Sequence, residues 1–255
     1  MNKTVKKFID AVVYPVAFCA VVIAVWAIAA KAGDNEFVLP SPLSALGKTG
    51  ELLTQKALYV AFGNTLLRTL EAWAISLVLA TALATAGKFF PPLGRFLSPL
   101  VSVVRALPTM SVVLLLVIWT SAKTAPVVVA ILVVMPTTYA AIKSAIDSVD
   151  PLLLETCRVY GVPKSRVFAR VYFPCVIRAA ALPVSSSLSL TLKLMVAAEV
   201  LASTARSLGG MMQMSKLYYE TASLMALTVM TIVVAIVLET ALYRVIKLFF
   251  KEERA

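Results

Sequence analysis

Six apolar runs, at residues 11–32, 62–86, 100–120, 126–146, 176–202 and 221–248, follow one another along this 255-residue chain. Each is long enough, at about 1.5 Å of rise per residue, to cross about 30 Å of hydrocarbon. Lipid offers no hydrogen bonds, so a run of that length has to satisfy its own backbone as a helix. The expected fold is therefore an all-α integral membrane protein with six transmembrane helices. Hydrophobic residues make up 60% of the chain and its mean hydropathy is +0.91. Soluble domains hold about 45–50%. The runs extend from end to end, which predicts one membrane domain over 11–248, flanked by a cytoplasmic N-terminus (1–10) and a cytoplasmic tail (249–255).

The basic start, with Lys3, Lys6 and Lys7, followed by an apolar run could read as a signal peptide. The run outlasts the apolar core of such a leader and ends in Lys31-Ala-Gly-Asp, with no small-x-small cleavage site. It reads as a first transmembrane helix. With the N-terminus inside, the inner segments hold 15 Lys and Arg residues and the outer segments hold 6. That asymmetry agrees with the positive-inside rule and places both termini in the cytoplasm of a bacterial-type inner membrane. The net charge of +11 then reflects topology and contact with anionic head groups of the bilayer, and no basic stripe suggests nucleic acid.

Several chemistries are excluded. There is no histidine, which removes Ser-His and Cys-His nucleophile systems and the HExxH zinc site. Cys19, Cys157 and Cys175 form no CxxC pair and read as reduced thiols. Gly47, Lys48 and Thr49 imitate the end of a phosphate-binding loop, but position 42 is Pro where that motif needs Gly. No metal site is expected: Met211, Met212 and Met214 read as flexible gap-fillers near an outer gate.

The longest segment not built for lipid is 147–178. Asp150 is a good N-cap, and Pro151 suits the first helical position. A helix over 152–160 should end at Gly161, where a tight reversal needs positive φ. A second helix should open at Pro163, run to about Tyr172 and stop at Pro174. The first helix carries Glu155 and Arg158 at polar spacing, with Leu153, Leu154, Cys157 and Tyr160 apolar. It reads either as a helix lying on the membrane surface or as a docking element for a partner.

The order Glu155, Thr156, Cys157, three residues, Gly161, then Phe173 and Pro174 resembles the cytoplasmic EAA loop of binding-protein-dependent ABC importer permeases. Thr156 and Cys157 replace two alanines, and Phe173 replaces a leucine. Three further segments, 37–46 (FVLPSPLSAL), 105–119 (RALPTMSVVLLLVIW) and 197–201 (AAEVL), resemble the nitrate/sulfonate/taurine-type subfamily. The resemblance covers roughly 36–248. It implies a MetI-like type I importer permease that does no covalent chemistry. A second permease copy, most simply a homodimer, would enclose the pathway. A cytoplasmic ABC ATPase dimer, carrying the ATP and Mg, would bind the loop, and an extracytoplasmic substrate-binding protein would deliver the solute. The coupling residues would be Glu155, Thr156, Cys157, Arg158, Tyr160, Gly161, Pro163 and Pro174. The solute would be a small anion such as a sulfonate, nitrate or taurine, or a vitamin precursor.

Charges inside the spans are costly and are functional candidates by default. Arg68 and Glu71, three apart, are expected to neutralise each other. Lys193 and Glu199, six apart, cannot share a face, so each needs another partner. Lys193 could meet an anionic solute or a neighbouring carbonyl. The cluster Ser185, Ser186, Ser187, Ser189 and Thr191 allows close helix packing or lines a pathway. Ser186, Ser189, Lys193 and Glu199 are thus the pathway candidates. Pro108, Pro136 and Pro183 should kink their helices. The rival readings are an ion-coupled secondary transporter and a membrane enzyme. The first lacks paired discontinuous spans in two similar halves, and the second lacks histidine and clustered carboxylates.

Overall fold

Helix follows helix with short breaks in the computed structural model, which describes residues 13–33, 36 and 38–249. The expectations for 1–12 (with Lys3, Lys6 and Lys7), for Phe37 and for 250–255 (with Lys251 and Arg254) lie outside the described residues. The side chain of Cys19 does so too. In chain order the helices are α1 (Tyr14–Gly33), α2 (Pro42–Leu53), α3 (Lys56–Phe89), α4 (Pro91–Ala106), α5 (Thr109–Trp119) and α6 (Ala125–Asp147). Then come α7 (Pro151–Val159), α8 (Lys164–Val167), a π-helical turn (Phe168–Tyr172), α9 (Phe173–Leu201), α10 (Leu208–Leu217) and α11 (Thr221–Phe249). No strand occurs among the described residues.

The expected all-helical bundle is what forms, with five to six spans. Among the described residues five helices are long and apolar enough to cross a membrane, and α4 with α5 makes a sixth if that pair, bent by 89°, is one span. The bend sits at Leu107 and Pro108, both extended (ψ 131° and 109°). Pro108 disfavours the helical conformation at the residue before it, and with Leu107 extended the third apolar run breaks instead of kinking. Pro136 and Pro183 lie inside helices that continue past them. Only Phe90 separates α3 from α4, because Pro91 opens α4 at once.

Pro174 does not stop the loop's second helix. Ser165–Leu201 is one continuous apolar helix of 37 residues. The π-turn explains this: the Phe173 N–H donates to Phe168 O, five residues back. That wider spacing accommodates a proline that has no N–H to give and would crowd the preceding turn of an α-helix.

The chain divides into two compact units, Met1–Tyr59 with Met212–Met230, and Val60–Met211 with Thr231–Ala255. In the first, Ser41 caps α2 by accepting from Ser44 N at 3.1 Å, and Trp26 Nε1 donates to Pro40 O at 3.0 Å. Lys48, in the false phosphate-loop signature, is helical and pairs with Glu51 at 2.8 Å. That hydrogen bond holds the Lys48 ammonium above its ordinary range. The second unit is organised around α6. Ala80, Ala84, Leu97, Val101, Tyr139, Ile142 and Ile146 join α3 and α4 to it. Ala72, Ala130 and Met195 join α3, α6 and α9, and Val113, Val129 and Ala198 join α5, α6 and α9. The contacts are rich in alanine because lipid gives helices little hydrophobic reason to associate. Close backbone approach and dispersion have to supply it.

Candidate functional site

The helix–turn–helix at 147–172 forms locally as its residues dictate. Asp150 accepts from Leu152 N at 2.9 Å, and Pro151 occupies the first helical position. Gly161 has φ +64°, and its N–H reaches Arg158 O at 3.1 Å. Nothing lies within 4 Å of where its Cβ would be, so the glycine is there for conformation and not for space.

No residue of α7 is buried. Glu155, Thr156 and Arg158 are exposed, Leu154 and Cys157 are half-buried, and Tyr160, which follows the helix, is 80% exposed. The expected apolar stripe is therefore split. Leu154 and Cys157 turn toward the protein, while Leu152, Val159 and Tyr160 face outward. Pro163 is exposed and Pro174 half-buried. Cys157 and Cys175 are free thiols, as their spacing suggested. Where α3 and α6 end, Lys88 Nζ and Lys143 Nζ share the Asp147 carboxylate, each at 2.8 Å.

The pathway candidates fall into different surroundings. Glu199 is completely buried. It accepts from Arg68 Nη1 at 2.8 Å, from Thr65 Oγ1 at 2.8 Å and from Gly209 N at 3.2 Å. Thr65 Oγ1 in turn accepts from Leu208 N at 3.0 Å. One carboxylate thus ties α3, α9 and the start of α10 together. Glu199 needed a partner outside its own face, and it has one. The expected Arg68–Glu71 pair is not what forms. Glu71 is exposed, whereas Thr65, Thr69 and Ala72 are the buried edge of α3, and Arg68 flanks that edge. A desolvated carboxylate attracts a guanidinium more strongly than a solvated one does.

Gly209 enters this site by absence. A Cβ on it would meet Glu199 Cβ, Val196 O at 2.6 Å and Val200 N at 2.6 Å. The turn between α9 and α10 also carries Ser203 and Arg206 at φ 50° and 51°, a conformation unusual for residues other than glycine. Thr204 Oγ1 anchors that turn by donating to Ala122 O at 2.6 Å. Ser189 is buried, and Ser186 donates to Glu239 at 2.6 Å. Lys193 is exposed, with no ion pair among the described residues. Glu239 is the functional candidate that sequence reasoning missed. A carboxylate inside the lipid-length run 221–248 was itself the signal.

A family model described as "Binding-protein-dependent transport system inner membrane component" matches residues 76–254, more than half of the chain. Among curated proteins, one of Brucella melitensis biotype 1 named "Probable ABC transporter permease protein" is 27% identical over 184 residues. The match covers 72% of this chain and 74% of that protein. A protein of the same name from Brucella abortus (strain 2308) matches equally, over 73% of its length. Two solved structures share the fold. An amino acid ABC transporter chain superposes with TM-score 0.61 at 18% identity, covering 82% of this chain and 97% of its own. A chain of a bacterial ABC transporter importing the acidic polysaccharide alginate gives 0.65 at 14% identity, with 96% and 99% covered.

Proposed function

Because this chain belongs to the binding-protein-dependent transport system inner membrane components, and so is a non-catalytic ABC importer permease subunit, we propose that it forms the pathway for a small solute and is driven through its 147–178 loop. The solute is a small anion of the sulfonate, nitrate or taurine kind, or a vitamin precursor. Two copies enclose the pathway, a cytoplasmic ATPase dimer that holds ATP and Mg grips the two loops, and an extracytoplasmic binding protein loads the solute. ATPase closure then moves α7 as a rigid body and switches the helices between two packings.

One observation carries the coupling reading: α7 is a well-capped helix with no fully buried residue, and Leu152, Glu155, Val159 and Tyr160 are exposed along and just beyond it. Isolated helices of this length are marginal in water, so the cap and the Gly161 reversal stabilise a shape that its own chain does not cover. Capture of an ATPase by the tagged protein from mild detergent tests it. Gly161→Val puts a β-branched residue at φ +64° and costs about 1–2 kcal/mol in backbone strain. ATPase recovery should fall in that variant and survive in Gly161→Asn, since asparagine tolerates the left-handed region. Equal recovery in both variants would remove Gly161 from the coupling role. Glu155→Ala should weaken capture through the exposed face of α7 without changing membrane insertion, which a fractionation blot reads.

Lys193 supports an anionic solute. Its side chain is exposed in the second half of α9, whereas the other exposed cation of that helix, Arg178, lies near its start. In reconstituted transport, Lys193→Met should raise the KM for an anionic solute several-fold while leaving ATPase capture intact. An unchanged KM would remove Lys193 from the pathway.

A further inference from the structure

Two concavities meet at the π-turn. The first is a cleft of about 900 Å³ under α7, lined by Lys88, Phe89, Leu154, Arg158, Phe168 and Tyr172 among others. The second is an almost wholly apolar groove of about 460 Å³ running along α3 and α9, with Leu77, Thr81, Ile142, Val176, Ala180 and Ile246 in its wall. Phe168 and Tyr172 line both, their rings stacked with centroids 6.1 Å apart. The π-turn that carries Pro174 through the helix thus also forms the wall shared by the two spaces, and such turns recur at functional sites.

The cleft is electropositive. Lys88 shares a single carboxylate, Asp147, with Lys143, so that cluster keeps a net positive charge. Arg158 adds a second, with no ion pair among the described residues. The groove has the length of one leaflet. It is lined on α3 from Leu77 to Thr85 and on α9 from Phe173 to Val184, axial rises of about 12 Å and about 16 Å, close to half of the ~30 Å hydrocarbon thickness. The charged cleft therefore sits where a head group would be, and the apolar groove where an acyl chain would run.

The geometry points to a binding site for one anionic phospholipid, with its phosphate between Lys88 and Arg158 and an acyl chain along the groove below Phe168 and Tyr172. Basic pockets at the cytoplasmic ends of membrane helices suit such head groups. The site rests on the membrane placement of these helices and not on ATPase coupling. Its position beneath α7 means that bound lipid would brace the loop from the side opposite its exposed face.

The full-length protein, stripped of lipid in mild detergent, is titrated with phosphatidylglycerol or phosphatidylcholine and read by native mass spectrometry. Phosphatidylglycerol should be retained the more tightly, and the preference should shrink as salt rises. Lys88→Gln and Arg158→Gln should each weaken it about fivefold, and together about 25-fold. Thr81→Trp, filling the groove from its exposed wall, should lower retention of both lipids alike. Equal retention of the two lipids by the unmodified protein would overturn the site, and that comparison needs no variant to fold. So would glycerol phosphate displacing the lipid at equal concentration, which would leave a cleft for soluble anions only. A lipid-free dimer that admits no lipid would reassign the groove to a second copy of the chain. ATPase capture, scored on the unmodified protein and on Lys88→Gln, separates failure of this site from failure of the coupling reading, in which Arg158 also takes part.

Discussion

Glu199→Ala should unfold or loosen the second unit more than any other single side-chain deletion. The carboxylate is fully buried and takes three hydrogen bonds, from Arg68, Thr65 and Gly209. Removing it leaves the Arg68 side chain, of which only 13% is accessible, without its counter-charge. It also leaves a buried N–H without an acceptor. Breaking a buried pair from one side typically costs about 3–5 kcal/mol. In a detergent melt this should appear as a large fall in the unfolding midpoint and, in vesicles, as loss of uptake. Glu199→Gln should recover part of the loss, because the amide oxygen can still accept from Thr65 and Gly209. Adding Arg68→Met to Glu199→Ala should recover more, because it removes the orphaned charge. If the double variant is as unstable as the sum of the two singles, the ion pair is not what holds α3 against α9.

Gly209→Ala should come second. Its Cβ would lie 2.6 Å from both Val196 O and Val200 N, and against the Cβ of Glu199. None of these is the free end of a flexible side chain, so α9 and the start of α10 have to separate. Overpacking costs about 1–3 kcal/mol, and here the separation also stretches the Gly209 N–H bond to Glu199. The control is Gly63→Ala, on the exposed side of α3 with nothing within 4 Å. There the alanine should be neutral or stabilise by about 0.5–1 kcal/mol, since glycine inside a helix is entropically costly. Equal melting points for the two alanine variants would show that the close approach of α10 to α9 is not required.

Under the proposed function these two expectations bear on transport, because a single carboxylate ties α3, α9 and the start of α10 together. A buried charge network can act as a two-state latch, made in one packing and broken in another, where a purely apolar contact would slide. Coupled uptake and thermal stability should therefore fall together in Glu199→Ala. In Gly161→Val coupling should fall alone, because the α7 reversal buries nothing.

Much of the 147–178 loop was legible because its rules are local. The Asp150 cap, the Pro151 start and the Gly161 reversal depend on residues within four positions of one another, and all three form as read. The second helix of the loop was misjudged at Pro174. Whether a proline ends a helix or is carried through by a π-turn depends on the packing of Phe168, Tyr172 and Phe173, which no local signal reports. Pro108 shows the reverse error, since a kink was expected and the helix broke by 89°. For the buried charges, residue spacing correctly separated Lys193 from Glu199. It assigned Arg68 to Glu71 because neighbours in sequence are the only partners a sequence displays.

The amino-acid sequence by itself determined that this chain must be a bundle of lipid-length helices, where most of them lie, and how the loop is capped and reversed. Hydrophobic run length and terminal residues set those features within a few residues of the chain. Only the tertiary structure decided that Arg68 belongs to Glu199, 131 residues away, that Ser186 belongs to Glu239, and that Gly209 is a packing requirement. In a membrane the apolar faces of helices are nearly interchangeable with lipid. Which helices meet is therefore settled by a few small residues and buried polar groups, and their pairing exists only once the helices are assembled.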